Sequence, residues 1–548
     1  MPITDLLERN ASLYGDEISL IEINPEFEAE AKKQWKEFSL VETAHKNVYR
    51  KEMTWREFDW RANQLANLLI SRGTKRGDKI GVLLMNCIEW LPVYFGILKT
   101  GALSVPLNFR YTSDEIKYCL GLADVSVLLF GPEFVERMDA VKDEIPKVKS
   151  LIFIGGGEGG GPAFAESYEA LMEGMPTNPP GIRLIDSDDA AIYFSSGTTG
   201  FPKAILHPHL SLTTSCVVEQ NHHGQSRDDV FLCIPPLYHT GAKMHWFGSL
   251  LAGSRGVLLR GIKPKWIVET AAKEKATIVW LLVPWAQDVL DAIERGEINL
   301  SDYDLTNWRL MHIGAQPVPP SLVHRWKKYF PAHEYDTNYG LSESTGPGAV
   351  HLGIENIRKV GAIGKAGFGY QTKIVGEDGE PVAQGDVGEL ILKGDCIMKC
   401  YYNDAKATAE TLKDGWLFTG DMAKEDEDGF IFLVDRKKDV IITGGENIYP
   451  VQIEDFLRGH EKIKDAAVIG IVHERLGEIA AAIIEIKTGM SCSEDEIEQF
   501  CQALPRYKRP RRIIFEPVPR NATGKIEKPK LRAKYNGGSL VAKQTEIV

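Results

Sequence analysis

The stretch KIGVLLMNCIEWLPVYFGILKTGALSVPL, residues 79–107, decides the fold class. Lys79-Ile-Gly-Val-Leu-Leu-Met85 is a short apolar run, the pattern of a buried strand. Trp90 to Leu98 reads as a helix, and Ala102-Leu-Ser-Val-Pro-Leu107 as a second strand. Helix-like and strand-like text alternate in this way over residues 52–130, which predicts an α/β architecture with a largely parallel sheet. Just upstream, Thr54 and Glu57 stand at the spacing of a capping box. Phe58 to Leu69 then places apolar residues at helical intervals.

A chain of 548 residues is too long for one core, so two or more domains are expected. The text changes after residue 435. Asp435-Arg-Lys-Lys-Asp439 is charged and linker-like. Short strands (Val440 to Thr443, Ala466 to Val472, Ala480 to Ile486) and helices (Val451 to Leu457, Glu494 to Leu504) follow. They read as a small α+β domain. The division is a large domain over 1–435, a hinge at 436–438 and a small domain over 439–548. Residues 25–50 are charged, and Glu26 to Phe38 suggests an inserted amphipathic surface helix. GGGEGGGP at 155–162 is a surface loop and not a dinucleotide fingerprint, because Pro162 interrupts any following helix.

Composition narrows the function classes. Hydrophobic residues make up 43% and charged residues 26%, ordinary for a soluble globular protein. The formal net charge of −12 argues against a broad nucleic-acid-binding surface. The cysteines show no CxxC pair, and Cys396 with Cys400 has no second pair to complete a metal site. Free thiols in a reducing compartment are expected. MPITDLLERN lacks the pattern of a secretory signal. No apolar run reaches the roughly 18 residues of a membrane span. The terminal Thr-Glu-Ile-Val is not a peroxisomal address. A cytoplasmic location is the expectation.

Tyr193-Phe-Ser-Ser-Gly-Thr-Thr-Gly-Phe-Pro-Lys203 carries the first chemistry. A strand ends at Tyr193-Phe194. Ser195, Ser196, Thr198 and Thr199 then supply hydroxyl donors. Gly197 and Gly200 let backbone N–H groups approach an anion, and Lys203 adds a charge: the ingredients of a phosphate cradle. The spacing is not that of a Walker A loop.

This segment resembles the phosphate loop of the adenylate-forming enzymes, the superfamily of acyl-CoA synthetases, luciferase-like enzymes and peptide-synthetase adenylation domains. The resemblance runs from about residue 50 to about residue 530. Ala204 departs from it, standing where the family usually has glycine. Further matches follow in the family's order. Gly314-Ala315-Gln316-Pro317 resembles the segment lining the adenine pocket. Thr337 precedes Asn338-Tyr339-Gly340-Leu341-Ser342-Glu343, which resembles the second nucleotide motif. The resemblance implies that Tyr339 lies beside the adenine, Ser342 contacts the α-phosphate and Glu343 binds Mg2+. Carboxylate and phosphate oxygens suit that hard ion. Trp416-Leu-Phe-Thr-Gly-Asp421 resembles the ribose motif, with Asp421 accepting from the ribose hydroxyls and Arg436 reaching the ribose and phosphate side. Lys438 matches the hinge residue. Gly444 and Gly445 match a loop that approaches the pantetheine of coenzyme A. Asn521-Ala-Thr-Gly-Lys525 matches the catalytic-lysine motif, in which Lys525 bridges the substrate carboxylate and the ATP α-phosphate.

The implied fold is a large N-terminal adenylate-forming domain with α/β subdomains plus a small mobile α+β C-terminal domain. The implied reaction joins a carboxylic acid to ATP as acyl-AMP with release of pyrophosphate, then transfers the acyl group to coenzyme A. Pro235-Pro-Leu-Tyr-His239 resembles the motif before the acyl pocket, with His239 at the carboxylate end. Trp246 either lines that pocket or belongs to the core. Gly340 stands where acetyl-CoA synthetases carry a blocking tryptophan, so a medium, branched, cyclic or aryl acid is expected over acetate. Arg506-Tyr-Lys-Arg-Pro-Arg-Arg512 either attracts the phosphates of coenzyme A or is a solvated stretch. Three readings stay beside the main one: a carrier-protein pantetheine as acceptor, a luciferase-like oxidative second step, and a regulator that has lost catalysis. The last would show damage at Lys525, Glu343 or Asp421, and all three are present. Self-association as a homodimer is left open.

Overall fold

The computed structural model describes residues 1–27, 33–36, 39–42, 49–155, 160–195, 202–314, 318–352, 358–443, 446–520 and 526–536. Among these residues the fold is mixed α/β, and each strand and helix expected over 54–107 is present. The Thr54 hydroxyl accepts from the Glu57 N–H while the Glu57 carboxylate accepts from the Thr54 N–H, and the helix Trp55–Ser71 starts there. Lys79–Leu83 and Leu103–Pro106 pair in parallel across the helix Trp90–Lys99.

Two large sheets carry the fold. The first has eight strands, ordered Cys400–Tyr401, Lys203–Pro208, Asp189–Ser195, Leu103–Pro106, Lys79–Leu83, Val125–Phe130, Ser150–Phe153 and Glu166–Ser167. The second has nine. Its middle runs parallel through Glu334–Tyr339, Leu310–Gly314, Ile278–Leu282, Val230–Cys233, Arg255–Leu259 and Ile18–Ile23. Ala349–Leu352 with Lys365–Ala366 and Arg50–Thr54 flank it as antiparallel edges. One continuous apolar core joins the two sheets. Strands buried on both sides read as unbroken apolar text, which is why short apolar runs marked them.

An antiparallel sheet follows: Gln371–Val375, Gly388–Lys393 and Trp416–Glu425, with Ile431–Arg436 pairing the last of these. A final sheet holds Ile441–Thr443, Glu446–Ile448, Ile463–His473, Gly477–Ile486 and Arg512–Phe515. Its two apolar clusters draw only on residues 441–535.

The inserted helix expected over Glu26 to Phe38 is corrected. Lys33–Lys36 and Ser39–Glu42 form an antiparallel pair with Trp35 opposite Leu40. Cross-strand pairing overrode the local helical pattern. Of the glycine-rich stretch, residues 156–159 lie outside the described residues. The described cysteines are all free, and most are buried. No described helix is long and apolar enough to cross a membrane.

Candidate active site

The strand Glu334–Tyr339 and the turn after it organise the site. Tyr339 is buried, and its hydroxyl donates to Asp421 Oδ2 at 2.5 Å. Asp421 and Arg436 are paired across neighbouring strands, and Arg436 Nε lies 3.1 Å from Asp421 Oδ1. Burial, and then the Asp421 charge, push the Tyr339 phenol up. Asp421 holds the Arg436 guanidinium charged. A carboxylate, a phenol and a cation therefore meet in one place.

Four residues along the chain, Glu343 anchors a second cluster. Its Oε1 accepts from the Tyr401 hydroxyl at 2.8 Å, and its carbonyl accepts from Met398 N–H at 2.7 Å. The Lys203 ammonium sits 4.6 Å from the centre of the Tyr401 ring. Lys203 is opposite Ser195 in the strand register, so the two ends of the Tyr193–Lys203 motif are held together. Ser342 is placed by two contacts: its carbonyl is 2.8 Å from His207 Nε2, and its hydroxyl accepts from Thr240 Oγ1 at 3.2 Å. Burial pushes the His207 imidazolium down to about 3, so the ring is neutral and donates from Nε2. Thr337 is buried, Leu341 is half-buried, and the Leu341 N–H donates to Ser344 Oγ at 3.0 Å. Ser196, Gly197, Thr198, Thr199, Gly200, Ala315, Gln316, Pro317, Gly444, Gly445 and Lys525 lie outside the described residues.

His239 caps the helix Thr240–Ala252, its Nδ1 accepting from Gly241 N–H at 3.2 Å. Asn86 fixes the turn before it, accepting from Leu237 N–H at 2.8 Å and donating to the Pro235 carbonyl at 3.0 Å. Trp246, on the same helix, turns into the core. Its ring centre lies 6.0 Å from Phe58 and 6.1 Å from Phe95, and Gly256 provides its space: a Cβ there would meet the indole at 2.7 Å. Of the two expectations for Trp246, this placement matches the core. Gly340 also has a local reason. A Cβ on it would lie 2.9 Å from the Gly346 carbonyl oxygen, so the close backbone approach itself favours glycine.

Sequence reading missed a buried ionic network behind these residues. Trp280, His312 and Asp336 stand in register on three adjacent parallel strands. Asp336 accepts from His222 Nε2 and His223 Nε2, each at 2.6 Å, and from His312 Nδ1 at 2.5 Å. Glu219 lies 2.8 Å from His223 Nδ1 and also binds His245 Nδ1. The His223, His245 and His312 nitrogens are close enough together to hold a metal ion. Their contacts with the two carboxylates account for the arrangement without one. Burial opposes a charge on His223, but Glu219 and Asp336 outweigh it and push its pKa up to about 10. The only local signal was the His222-His223 doublet with Glu219 one turn before it; Asp336, His245 and His312 are distant in the chain. Lys243 was also missed. It is buried, its Nζ 3.8 Å from the centre of the Tyr193 ring, and burial drives its pKa well down. The Tyr193 and Tyr94 hydroxyls are 2.6 Å apart beside it.

Where the chain enters the last sheet, Asp435 is the fixed point. Its carboxylate accepts from Arg436 N–H at 2.7 Å and from Val451 N–H at 2.9 Å, and burial raises it to about 6. Asp439 pairs with Arg532 at 2.7 Å. Lys438, between them, is exposed.

Comparison with known proteins agrees with this geometry. The family model of the AMP-binding enzyme matches residues 27–402, and that of the AMP-binding enzyme C-terminal domain matches residues 452–525. The chain belongs to the AMP-binding enzyme family, the adenylate-forming enzymes. It is 30% identical over 496 residues to the long-chain-fatty-acid–CoA ligase FadD13 of Mycobacterium tuberculosis, covering 88% of this chain and 93% of that one. It is 31% identical over 487 residues to a feruloyl-CoA synthase of an Amycolatopsis species, covering 88% and 94%. Among solved structures it superposes on the anthranilate CoA ligase AuaEII in complex with anthranoyl-AMP, with TM-score 0.86 and 26% identity over 98% of both chains.

Proposed function

We propose that this protein is an AMP-forming acyl-CoA synthetase acting on a medium, branched, cyclic or aryl carboxylic acid. The observation that carries the reading is the turn from Tyr339 to Glu343. One end joins Asp421 and Arg436, and the other joins Tyr401 and Lys203. A nucleotide laid along that turn has a ribose acceptor at one end and a phosphate cation at the other.

In the first half-reaction the acid's carboxylate oxygen attacks the α-phosphorus of ATP. A new O–P bond forms and pyrophosphate leaves. Ser195, Lys203 and Ser342 hold the phosphates, Asp421 holds the ribose, the segment beginning at Gly314 borders the adenine while the Cα of Gly314 faces the acyl group, and Lys525 offsets the repulsion between the two anions. Glu343 fits Mg2+: its carboxylate is half-buried, and the Tyr401 hydroxyl engages only one of its oxygens. The ion, when bound, supplies charge neutralisation on the phosphates. In the second half-reaction the thiolate of coenzyme A attacks the acyl carbonyl and AMP leaves.

The separate apolar clusters of residues 441–535 support a small domain after the hinge at 436–438. We assign the change between half-reactions to rotation about Lys438, with Lys525 serving the first and the Gly444–Gly445 loop the second. The acyl group enters at His239 and runs past Gly241 toward Trp280, whose ring a Cβ on Gly241 would touch at 3.1 Å. We place the enzyme in the cytoplasm, where its free thiols stay reduced.

The test is acid-dependent exchange of labelled pyrophosphate into ATP, followed by AMP release on adding coenzyme A. Exchange that coenzyme A leaves unchanged, with acyl-AMP retained, would move the acceptor to a carrier-protein pantetheine.

A further inference from the structure

Three adjacent parallel strands place polar groups around one point. Trp280 and His312 are in register, 3% and 0% exposed. Gly314 follows two residues after His312, on the same face of its strand. A Cβ built on Gly314 lies 3.4 Å from His312 Nε2, 3.5 Å from Trp280 Nε1 and 4.0 Å from Asn338 Oδ1. Among the described residues, none gives a hydrogen-bond partner to His312 Nε2, Trp280 Nε1 or Asn338 Nδ2. Two unsatisfied polar atoms, His312 Nε2 and Trp280 Nε1, therefore border the space beside Gly314, in a region otherwise built from ring faces. The Trp280 ring centre is 4.3 Å from that of His245, and His245 is 4.4 Å from His312.

The polarity at this point is fixed. Asp336 binds His312 Nδ1 at 2.5 Å, so that nitrogen carries the hydrogen. Burial pushes the His312 imidazolium down to about 3, so the ring is neutral at neutral pH. Its Nε2 is then a lone-pair acceptor. Trp280 Nε1–H is a donor only. An acceptor and a donor aimed at one place select a group that both donates and accepts. A purely hydrocarbon acid would leave both buried atoms unpaired, which is costly.

We infer that the body of the acyl group carries a hydroxyl, which accepts from Trp280 Nε1–H and donates to His312 Nε2 beside Gly314. This rests on the acyl-CoA synthetase reading and names its substrate class. Asp336 acts through His312, as a positioning residue that holds its tautomer.

The experiment measures kcat/KM for matched pairs of acids with and without a hydroxyl: ring-hydroxylated and plain cinnamic acids, ring-hydroxylated and plain phenylacetic acids, and ω-hydroxylated and plain alkanoic acids of equal length. The wild-type protein is compared with Trp280→Phe and His312→Asn. The expected result is a preference of about tenfold or more for the hydroxylated member of at least one pair. That preference falls to within about threefold in each variant that folds. Two variants are used so that misfolding of one leaves the other; should both misfold, the wild-type ratio decides. Plain acids used equally well or better would overturn the inference and leave the synthetase reading standing. So would a preference unchanged in both variants. No adenylation of any acid would overturn both.

Discussion

Tyr339 donates its hydroxyl to Asp421 at 2.5 Å, although 82 residues separate them in the chain. Arg436 lies on the other carboxylate oxygen at 3.1 Å, so Asp421 is held between a phenol and a guanidinium. On the proposed reading, a carboxylate fixed in this way would accept from ribose hydroxyls without reorganising. Asp421→Asn should lower kcat/KM for ATP by roughly 10–100-fold, the range for losing hydrogen bonds to a charged group. The KM for the acid should change little. Steady-state kinetics with ATP and acid varied separately checks the split.

Lys525 is assigned to adenylation alone. Lys525→Ala should slow acyl-AMP formation by at least ~100-fold, about 2.7 kcal/mol of barrier. Transfer from supplied acyl-AMP to coenzyme A should be much less affected. Single-turnover assays of each half-reaction separate the two, and equal losses would refute the division of labour.

Glu343 and Tyr401 make a graded pair. Glu343→Gln should raise the Mg2+ concentration needed for half-maximal adenylation and lower the maximal rate by about tenfold or more, since a neutral amide is a poorer ligand for a hard ion. Tyr401→Phe should show a weaker form of the same change, because it frees the carboxylate without removing it. Titration of each variant with Mg2+ measures this.

The His223 network makes a pH prediction. Folding raises the His223 pKa to about 10, against about 6.5 in an unfolded chain. The group's stabilisation is therefore fully present below about pH 6.5 and is lost as pH rises through about 10. Denaturant melts should show stability falling over that window, by up to ~1.4 kcal/mol per pH unit. His223→Gln should be less stable at neutral pH and should lose that slope.

Two glycines should answer differently to a methyl group. In Gly314→Ala the new atom makes only ordinary contacts, the nearest at 3.4 Å. That variant should fold and lose activity most on the bulkiest acids. In Gly340→Ala the methyl meets the Gly346 carbonyl at 2.9 Å, so the backbone must shift. It should lose thermal stability and act poorly on every acid. Melting curves beside an acid-size series distinguish the two.

Much of this was legible in the chain because it is local. The Thr54–Glu57 capping box and the apolar strands of the parallel sheets are written in neighbouring residues. So are the motifs at 193–203 and 338–343. Contacts made by distant partners were not legible. Tyr401 lies 58 residues beyond Glu343. His245 and His312 meet Glu219 and Asp336 only when the helices His209–His223 and Thr240–Ala252 pack together over the sheet. The segment around Lys33–Glu42 misled because its charge spacing suits a helix, whereas strand pairing decided its form. Trp246 gave no local sign of which way it faces; the space at Gly256 settles that.

The most direct measurement is mass spectrometry of products after incubating the protein with ATP, Mg2+, coenzyme A and a panel of carboxylic acids, with coenzyme A omitted in parallel. The account predicts acyl-CoA and AMP in equal amounts when coenzyme A is present, acyl-AMP and pyrophosphate when it is absent, and larger acids used in preference to acetate. ATP left unchanged with every acid, or ADP in place of AMP, would contradict it.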